Sequence, residues 1–459
     1  MGARDVVKKV VPAGLFRAVE PTGHWLEAIV ENVALGFPAR GLKVIGVTGT
    51  DGKTSTSTLI TQMLRDAGYK VAMMTTISVD YGDGRGAIDN PTRLTTMGSL
   101  DLLKKLKQIK ASGAEWLVLE TTSHALAQHR VWGVPYTIAV FTNLGHEHLD
   151  YHGTFERYRD AKRMLFKQTN RNRKGLRVGV INADDEVAPF FAQDIVNPVM
   201  YGVKNGDLRA TNIKMTPAGS RYTVKTADTE YRIECHIPGS FNVYNSLAAV
   251  GVGRALGLSK DQIEKGIASL RAVEGRMTRV DEGQPFDVIV DYAHTPESFD
   301  KIFAEVKPLV KGRMIAVFGS AGRRDELKRA KQGEIAGKWC DIVIATEEDD
   351  RDIDGQEILE QIAGGAESSG KTKGEDLLLI HDREDAVQTA VNMAKPGDMI
   401  LLLGKGHEKS ILTNGPKAAE LRHHPQNDGD PQRVVKRPYD EVTVAREALH
   451  NRTNEQPRT

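Results

Sequence analysis

Cysteine is scarce in this chain of 459 residues, and its scarcity excludes two common ways of stabilising a fold. Only Cys235 and Cys340 occur, far apart in sequence and without a C-x-x-C partner. A disulfide framework or a structural zinc site is therefore not expected, and a reducing compartment fits.

Long apolar runs and an excess of one charge are also missing. No run of 18 apolar residues occurs, and the opening MGARDVVKKVVPAGLF lacks the length and cleavage site of a signal peptide. Lysine and arginine number 62 against 61 acidic residues, so the net charge of +1 indicates no nucleic-acid surface. We expect a cytoplasmic protein without membrane insertion and without a nucleic-acid partner.

The pattern of apolar residues predicts an α/β protein with more than one domain. From about residue 42, buried strands alternate with helices such as KTSTSTLITQMLRDAG and TFERYRDAKRMLFKQT. Five segments are predicted as strands of a mostly parallel sheet: LKVIGVTG, KVAMMTT, EWLVLE, YTIAVFTN and RVGVIN. Residues 199–237 alternate polar and apolar side chains, which is typical of antiparallel strands.

A second α/β series follows the helix FNVYNSLAAVGVGRALGLS and a break near residues 272–285. Its predicted strands are FDVIVDY, RMIAVFG, DIVIAT, LLLIHD and MILLLG. Residues 414–437 are rich in Pro, Asn, Asp, His and Arg, which predicts a long loop. A helix, YDEVTVAREALHNR, comes before a frayed end.

The segment GVTGTDGKTS, residues 46–55, predicts a phosphate-binding loop. It differs from G-x-x-x-x-G-K-[ST] because Val47 stands at the first glycine position. A strand, a glycine-rich turn and a helix in this order would aim backbone N–H groups at an anion. Lys53 would reach terminal phosphates and Thr54 would ligate magnesium. The alternative is a Gly-Lys turn in which Thr54 caps the helix.

This loop is similar to that of the Mur ligases, of the form G-T-[ND]-G-K-[TS]. Six further segments follow in the family's order: LETTSHALAQHRVWG, AVFTNLGHEHLDYHGTFERYRDAKRMLF, GSFNVYNSLAAV, VEGRMTRVD, VIVDYAHTPES and LLGKGHE. The likeness spans roughly residues 42–412 plus the final helix. It resembles most the members that add the third residue of the peptidoglycan stem peptide.

The resemblance implies a fold and a domain organisation. We expect a central P-loop-type domain with a mostly parallel sheet and a smaller, Rossmann-like C-terminal α/β domain, the family's N-terminal domain being largely absent. The expected limits are a truncated N-terminal segment at 1–41, the central ATP-binding domain at 42–273, the amino-acid-binding domain at 274–450 and a flexible tail at 451–459.

The resemblance also implies an activity. The family activates a substrate carboxylate with ATP and Mg²⁺, forms an acyl phosphate, and closes an amide with an incoming amino acid. The expected substrates are UDP-N-acetylmuramoyl-L-Ala-D-Glu and a diamino acid, and we expect a monomer. An acyl phosphate forms between two anionic groups, so cations must offset their repulsion.

Four residues match the family's catalytic groups: Lys53, Glu120, His148 and Lys162. Glu120 ends a predicted parallel strand and matches a magnesium ligand, its alternative being a helix cap or salt bridge. His148 matches the ligand of a second magnesium, although Glu147 stands where relatives commonly have Asp. The resemblance implies that Lys162 carries carbon dioxide as a carbamate and becomes an anionic magnesium ligand. Carbamate formation needs a neutral amine, whereas the sequence alone would make Lys162 a solvated charge on an amphipathic helix.

The remaining site residues follow from the same resemblance. The nucleotide contacts are Gly49, Thr50, Asp51, Gly52, Lys53, Thr54, Ser55, Asn242, Asn245, Arg276, Asp291 and His294. The muramoyl-peptide contacts are Thr95, Thr96, Thr122, Gln128 and Arg130, and the amino-acid contacts are Arg329, Arg351, Gly404 and Glu408. Leu94 stands where relatives have Asn. Each of these has a plain alternative, such as an Asn helix cap or a surface Arg.

Two departures bear on the substrates. About 41 residues precede the first predicted strand, too few for the domain with which relatives grip uridine. Where enzymes specific for meso-diaminopimelate carry D-N-P-R, this chain has Glu348, Asp349, Asp350 and Arg351. Loss of the proline loosens the backbone and the added carboxylates favour a cationic partner. We predict meso-diaminopimelate or lysine.

Two alternatives stay open from the sequence. The chain could be another amide ligase of this type, such as a folylpolyglutamate synthase-like enzyme, which the short N-terminus favours and TTSHALAQHR opposes. It could also be a non-catalytic nucleotide-binding relative, which the intact Lys53, Glu120, His148 and Lys162 oppose.

Overall fold

The computed structural model describes residues 13–90, 95–145, 147–323, 326–413 and 434–455. The chain divides into two compact units, and the main boundary falls between Arg271 and Ala272. Two short segments, Met215–Ser220 and His236–Ser240, group with the second unit although they precede this boundary.

The first unit is built on an 11-stranded sheet of spatial order β11-β10-β9-β8-β7-β6-β1-β5-β2-β3-β4. Its strands are β1 (Lys43–Thr48), β2 (Val71–Met74), β3 (Ser78–Asp80), β4 (Ile88–Asp89), β5 (Trp116–Glu120), β6 (Tyr136–Phe141), β7 (Val178–Asn182), β8 (Asn197–Gly202), β9 (Leu208–Thr216), β10 (Gly219–Lys225) and β11 (Glu230–Cys235). The strands from β2 through β5, β1, β6, β7 and β8 to β9 pair in parallel.

Helices cover this sheet, which explains why its central strands are apolar throughout. They are α1 (Ala13–Ala34), α2 (Lys53–Asp66), α3 (Ser99–Ala111), α4 (Ser123–Ala127), α5 (Leu149–His152), α6 (Phe155–Arg171), α7 (Ala188–Ala192), α8 (Phe241–Ala255) and α9 (Lys260–Ser269). β5 and β6 are buried at every residue, as expected when both faces of a parallel sheet are covered. The predicted fold class is confirmed.

The second unit holds a six-stranded sheet of order β12-β13-β17-β14-β15-β16 and a two-stranded sheet, β18-β19. The strands are β12 (Thr278–Val280), β13 (Asp287–Asp291), β14 (Met314–Phe318), β15 (Ile342–Ala345), β16 (Leu377–Leu379), β17 (Met399–Leu403), β18 (Ser410–Thr413) and β19 (Val435–Pro438). All pairs from β13 to β16 are parallel, whereas β12 runs antiparallel to β13.

The helices of the second unit are α10 (Pro296–Val306), α11 (Leu327–Trp339), α12 (Gly355–Ser368), α13 (Arg383–Met393) and α14 (Glu441–Glu455), with a 3₁₀ turn at Lys307–Leu309. The last helix is part of the core, because Ala445, Ala448 and Leu449 pack in the cluster that contains β13 and β17. None of the described helices combines the length and apolar character that a bilayer span requires.

Several sequence predictions need correction. The predicted loop at 414–437 ends in a strand, Val435–Pro438, which pairs with β18, while residues 414–433 lie outside the described ranges. The predicted break at 272–285 contains β12. Within 199–237, Tyr201 and Gly202 pair in parallel with β9 rather than antiparallel. The final helix ends at Glu455, three residues beyond the predicted YDEVTVAREALHNR and within the predicted flexible tail at 451–459.

Candidate nucleotide and substrate site

The turn between β1 and α2 requires glycine at two positions. Gly49 has φ +156°, and a Cβ there would lie 1.8 Å from Oγ1 of Thr142. Gly52 has φ +79° and caps α2, and its Cβ would lie 2.3 Å from Oδ1 of Asn245. The backbone therefore approaches its neighbours too closely for any side chain, as in loops that wrap an anion.

Two residues that the sequence analysis missed hold this turn from the end of β6. Thr142 Oγ1 donates to the carbonyl of Asp51 at 2.6 Å. The carbonyl of Asn143 accepts from the N–H of Thr50 at 2.9 Å, and its side-chain Oδ1 accepts from the N–H of Asp51 at 2.9 Å. Because β6 lies beside β1, the loop is fixed by contacts remote in sequence.

Lys53 and Lys162 converge on one carbonyl oxygen of the turn. Lys53 Nζ donates to the carbonyls of Gly49 at 3.1 Å and Thr50 at 2.6 Å. Lys162 Nζ, from α6, donates to the same Gly49 carbonyl at 2.7 Å. Two lysines 109 positions apart in sequence thus face the phosphate loop together.

Lys162 is buried, which contradicts its reading as a solvated charge. Its side chain is 2% exposed, and its Nζ lies 4.5 Å from the ring centroid of Tyr158. Burial and the nearby charge of Lys53 lower the pKa of Lys162 well below its ordinary value. The helix that presents it is capped by Thr154, whose hydroxyl accepts from the N–H of Arg157 at 3.2 Å.

Glu120, at the end of β5, is a buried carboxylate with one orphaned oxygen. Its Oε2 accepts from the N–H of Thr76 at 3.0 Å and from its hydroxyl at 2.8 Å. Its Oε1 is buried and has no hydrogen-bond partner in the described parts of the chain. An orphaned carboxylate oxygen in the interior is costly unless a cation or donor completes it, so Glu120 fits a divalent cation.

His148 is exposed and lies at the start of α5, with φ 57°. Its ring centroid is 4.8 Å from that of His124 and 5.8 Å from that of Tyr158, the residue that also contacts Lys162.

Thr54 and Ser55, in the first turn of α2, are buried. Tyr158 also forms a hydrogen bond of 3.1 Å with the hydroxyl of Thr50.

The predicted muramoyl-peptide contacts form one hydrogen-bonded network beside Glu120. The hydroxyls of Thr95 and Thr76 lie 2.9 Å apart, and the Thr96 hydroxyl donates to the Glu120 carbonyl at 3.0 Å. The N–H of Thr122 donates to the Thr96 hydroxyl at 3.1 Å. The Arg130 side chain completes the network, because Nη1 donates to the Thr96 carbonyl at 3.0 Å and Nε donates to Gln128 Oε1 at 2.8 Å. Leu94 lies outside the described residues.

Asn242 and Asn245 lie buried on the first turns of α8 and brace the phosphate-loop helix. Asn245 Nδ2 donates to Asn242 Oδ1 at 2.8 Å, and Asn245 Oδ1 accepts from the Thr56 hydroxyl at 3.1 Å. Both side chains therefore serve structural contacts in this conformation.

In the second unit, Arg276, Asp291 and His294 lie close together around Tyr292. Asp291 accepts from the N–H groups of Met277 and Ala293, both at 2.8 Å, and burial raises its pKa despite the nearby Arg276. Arg276 stacks over Tyr292 at 5.1 Å. Burial lowers the pKa of His294, whose Nδ1 lies 2.9 Å from the Tyr292 carbonyl.

The predicted amino-acid contacts lie in the second unit, Arg329 on α11 and the other three in loops. Arg329 is fully buried and donates to Gln361 Oε1 at 2.7 Å, while its Nε has no partner within the described ranges. Arg351 donates from Nη1 to the Gly322 carbonyl at 2.9 Å. Glu408 accepts from Lys405 Nζ at 2.6 Å. Gly404 lies against Glu348, whose Oε2 would be 2.9 Å from a Cβ at that glycine.

Glu348 is a buried carboxylate with an unsatisfied oxygen. It is 8% exposed, and its Oε2 has no hydrogen-bond partner among the residues that the structure describes. Burial raises its pKa to about 7, although Lys328 and Lys405 act in the opposite direction. A carboxylate in this state is suited to receive a cationic ligand.

The segment Glu348–Arg351 is anchored by its side chains. Asp350 Oδ2 lies 2.7 Å from His381 Nε2. Asp349 Oδ1 accepts from Lys405 Nζ at 3.0 Å and from the N–H of Leu412 at 2.9 Å. Ion pairs of Asp349 and Asp350 thus hold this segment in place.

A glycine-rich turn after a parallel strand, two lysines facing it and a buried carboxylate on the next strand define a phosphate-loop α/β enzyme with a second α/β unit. Family models agree: the Mur ligase middle domain matches residues 47–253, and the Mur ligase, glutamate ligase domain matches residues 275–406.

Individual relatives give the same result. The chain is 42% identical over 392 residues to a UDP-N-acetylmuramyl-tripeptide synthetase of Roseiflexus sp. (strain RS-1), covering 82% of this chain and 76% of the relative. It is 39% identical over 394 residues to a UDP-N-acetylmuramoyl-L-alanyl-D-glutamate--2,6-diaminopimelate ligase of Geobacillus thermodenitrificans, covering 85% and 79%. A solved structure of a ligase with that second name matches with a TM-score of 0.65 and 28% identity, over 91% of this chain and 80% of that one.

The chain belongs to the Mur ligase family. The predicted enzyme class, an ATP-dependent ligase of peptidoglycan synthesis, is thereby confirmed. The folylpolyglutamate synthase of Mycobacterium tuberculosis has a TM-score of 0.64 at 16% identity, which shows a shared fold alone.

Proposed function

We propose that this ligase joins a diamino acid, meso-diaminopimelate or L-lysine, to UDP-N-acetylmuramoyl-L-Ala-D-Glu through an acyl phosphate. The observation that carries the proposal is the convergence of Lys53 and buried Lys162 on the Gly49 carbonyl. The printed names of relatives at 39–42% identity supply the substrate classes.

The phosphate loop would bind the triphosphate of ATP. The N–H groups of the turn and the start of α2 supply partial positive charge, and Lys53 would reach the terminal phosphates. Asn242, Asn245, Arg276, Asp291 and His294 are proposed to contact the rest of the nucleotide.

Magnesium would be held by Thr54, Glu120, His148 and the modified Lys162. The orphaned Oε1 of Glu120 is the feature that fits such an ion. When bound, the ion neutralises charge that builds up as a phosphoryl group moves between oxygens.

Lys162 is proposed to carry carbon dioxide as a carbamate. Its burial and the charge of Lys53 favour the neutral amine that attacks carbon dioxide. The ammonium first loses one proton, and the neutral amine nitrogen then bonds to the carbon of carbon dioxide and loses a second proton. The side chain thus changes from a cation to an anion with the release of two protons. The anionic carbamate would be repelled by the Gly49 carbonyl oxygen, to which the Lys162 ammonium donates in this structure, and would move away from it.

The protein's own groups would act in two stages. Lys53 offsets the repulsion while a carboxylate oxygen of the muramoyl dipeptide attacks the terminal phosphorus and ADP leaves. The amine of the diamino acid then attacks the acyl carbon, and phosphate departs as the amide forms. Thr95, Thr96, Thr122, Gln128 and Arg130 would hold the muramoyl peptide by hydroxyl, amide and guanidinium contacts.

The second amine of the incoming amino acid is proposed to meet Glu348. This carboxylate is buried, unsatisfied and next to Gly404, which together with Arg329, Arg351 and Glu408 matches the family's amino-acid contacts. An ammonium would supply the missing donor and counter-charge.

We also propose that the protein is a monomer in the cytoplasm. The buried free thiols of Cys235 and Cys340 fit a reducing compartment.

Phosphate release tests the proposal. The purified chain is incubated with ATP, Mg²⁺, UDP-N-acetylmuramoyl-L-Ala-D-Glu and one amino acid, which is meso-diaminopimelate, L-lysine or L-alanine. Released phosphate is measured, and mass spectrometry gives the mass of the UDP-linked product. Release should require both the muramoyl dipeptide and a diamino acid. Release with a folate and glutamate instead would favour a folylpolyglutamate synthase-like enzyme, and no release with any pair would contradict catalysis.

A further inference from the structure

The end of α6 and the loop after it concentrate positive charge. Between Asp160 and Asp184 the sequence has seven lysines and arginines and no acidic residue. Lys162 faces the phosphate loop, and Arg163 pairs with Asp194 at 2.8 Å. The other five form what we name the basic patch: Lys167, Arg171, Arg173, Lys174 and Arg177.

The patch is not neutralised by neighbouring carboxylates. Lys167, Arg171, Arg173 and Lys174 are exposed, and no ion pair involves them within the described ranges. A cation in the last turn of a helix is favoured by the helix dipole. This explains Arg171 but not Arg173 and Lys174, which follow the helix end.

Two exposed aliphatic side chains lie within the patch. Asn170 Oδ1, on the last turn of α6, accepts from Arg177 Nη2 and from the N–H of Val196, both at 3.2 Å. The carbonyl of Leu176 accepts from Asn197 Nδ2 at 3.1 Å. Leu176 is 43% exposed and Val196 55% exposed. These contacts place Val196 and Leu176 beside the end of α6 and the loop that carries the cations.

This surface lies at the end of the sheet opposite the phosphate loop. Asn172 Nδ2 donates to the carbonyl of Tyr136 at 2.9 Å, which places the end of α6 beside the first residue of β6. β6 runs parallel to β1, and the phosphate loop follows the other end of β1. A partner on the basic patch would leave the loop open.

We propose that the basic patch docks the first unit on the surface of an anionic lipid bilayer. The cations would face lipid phosphates, and Leu176 and Val196 would enter the interfacial region. Single-stranded nucleic acid is less well suited, because its binders offer aromatic side chains for base stacking. Leu176 and Val196 are aliphatic and offer no ring on which a base could stack.

Vesicle co-sedimentation tests the docking. The full chain is mixed with phosphatidylcholine vesicles that contain or lack phosphatidylglycerol, at low and at high salt. The test variant replaces Lys167, Arg171, Arg173 and Lys174 with glutamine. The control variant makes the same change of charge at exposed residues elsewhere in the first unit, namely Arg209, Lys214, Arg232 and Lys265. A third variant carries Leu176→Ser and Val196→Ser.

The wild type and the control should bind anionic vesicles and be released by high salt, while the test variant should bind at least about tenfold more weakly. The serine variant should bind more weakly than the wild type at equal salt. Equal binding by the test variant and the wild type, or no binding by the wild type, overturns the proposal. Tighter binding to an oligonucleotide than to vesicles also overturns it. Thermal melts show that each variant is folded, and ligase activity is not part of the readout.

Discussion

Lys162 shows how burial can prepare a lysine for chemistry. An ammonium that is 2% exposed and faces a second ammonium is disfavoured, so its proton is more easily lost. The neutral amine is the form that combines with carbon dioxide. The same burial would keep the proposed carbamate away from water.

Lys162→Ala should therefore lower ligase activity by about 100-fold or more, the scale for loss of a group that holds or orients a metal. Lys162→Glu, which restores a carboxylate on a shorter chain, should recover part of the loss. Steady-state kinetics measure both, and labelled bicarbonate with mass spectrometry detects the carbamate directly. Lys265→Ala, on an exposed face of α9, is the control and should match the wild type. Full activity of Lys162→Ala would refute the carbamate.

Glu348 gives a prediction in which pH separates binding from turnover. Its raised pKa of about 7 means that the carboxyl is neutral below that pH and anionic above it. The KM for the diamino acid should thus fall as pH rises through about 7, with little change in kcat. Glu348→Gln should raise KM and abolish this pH dependence, whereas the exposed Glu375→Gln should not. An unchanged KM profile in Glu348→Gln would contradict the assignment.

Glu348 also affects folding, and here a rise in pH is unfavourable, whereas it favours binding of the diamino acid. Folding raises the pKa of this carboxyl from 4.5 to about 7, so the free energy of unfolding falls as pH rises across that window. Glu348→Gln should therefore be more stable than the wild type above pH 7, by up to about 3 kcal/mol. Below pH 4.5 this advantage should vanish. Urea unfolding at both pH values measures it, and a less stable variant at pH 8 would contradict it.

At the residue scale, the sequence predicted chemistry only where a motif marked it. Lys53 and Gly52 stand in a readable loop pattern, but Lys162 reads as a surface charge until its family motif is noticed. Thr76 and Tyr158 were missed, because each acts through contacts with residues more than 40 positions away, Glu120 and Thr50. The roles of the matched residues stay predictions.

At the scale of elements, the junction of β1 and α2 depends on a glycine at the helix start. Gly52→Ala would place a Cβ 2.3 Å from Asn245 Oδ1 at a positive φ, so the loop must shift. ADP affinity should fall at least about tenfold, or 1.4 kcal/mol. Gly68→Ala is the matched control, because Gly68 also has a positive φ (+94°) but a Cβ there meets nothing within 4 Å. Calorimetric titration with ADP separates the two, and equal affinities would contradict the loop geometry.

The last helix is tied to the second unit by a buried ion pair. Arg383 Nε donates to Glu441 at 2.9 Å, both side chains are fully buried, and Arg383 also donates to the carbonyls of Glu347 and Leu403. Glu441→Ala leaves the guanidinium without its counter-charge and should cost about 3–5 kcal/mol of unfolding free energy. The double variant Arg383→Met, Glu441→Leu should recover most of it. A cost below about 1 kcal/mol for Glu441→Ala would contradict this view of the pair.

Elements with strong apolar runs were predicted well, and short polar ones were not. β1, β5 and β6 are wholly or almost wholly buried, so their sequences are continuous apolar runs that predict strands. Val435–Pro438 was assigned to a loop because its neighbours are polar, although its own residues alternate buried and exposed. Its partner, Ser410–Thr413, lies more than 20 positions earlier, which no local pattern reveals.

At the scale of the whole molecule, a net charge of +1 conceals local separation of charge. The phosphate-loop end of the first unit brings together lysines and a buried carboxylate, and the opposite end carries the basic patch. The second unit has a carboxylate-rich segment at Glu348–Arg351. Composition could not predict this distribution, because it depends on which ends of strands and helices the fold brings together.

The central claim is that a carboxylate oxygen of the muramoyl dipeptide becomes part of the phosphate that leaves. The most direct measurement uses UDP-N-acetylmuramoyl-L-Ala-D-Glu labelled with oxygen-18 in its reacting carboxylate, together with ATP and the diamino acid that the enzyme accepts. Mass spectrometry should find one oxygen-18 atom in the phosphate ion that is released for each amide formed. Unlabelled phosphate, with both labelled oxygens lost or retained elsewhere, would contradict the acyl-phosphate mechanism.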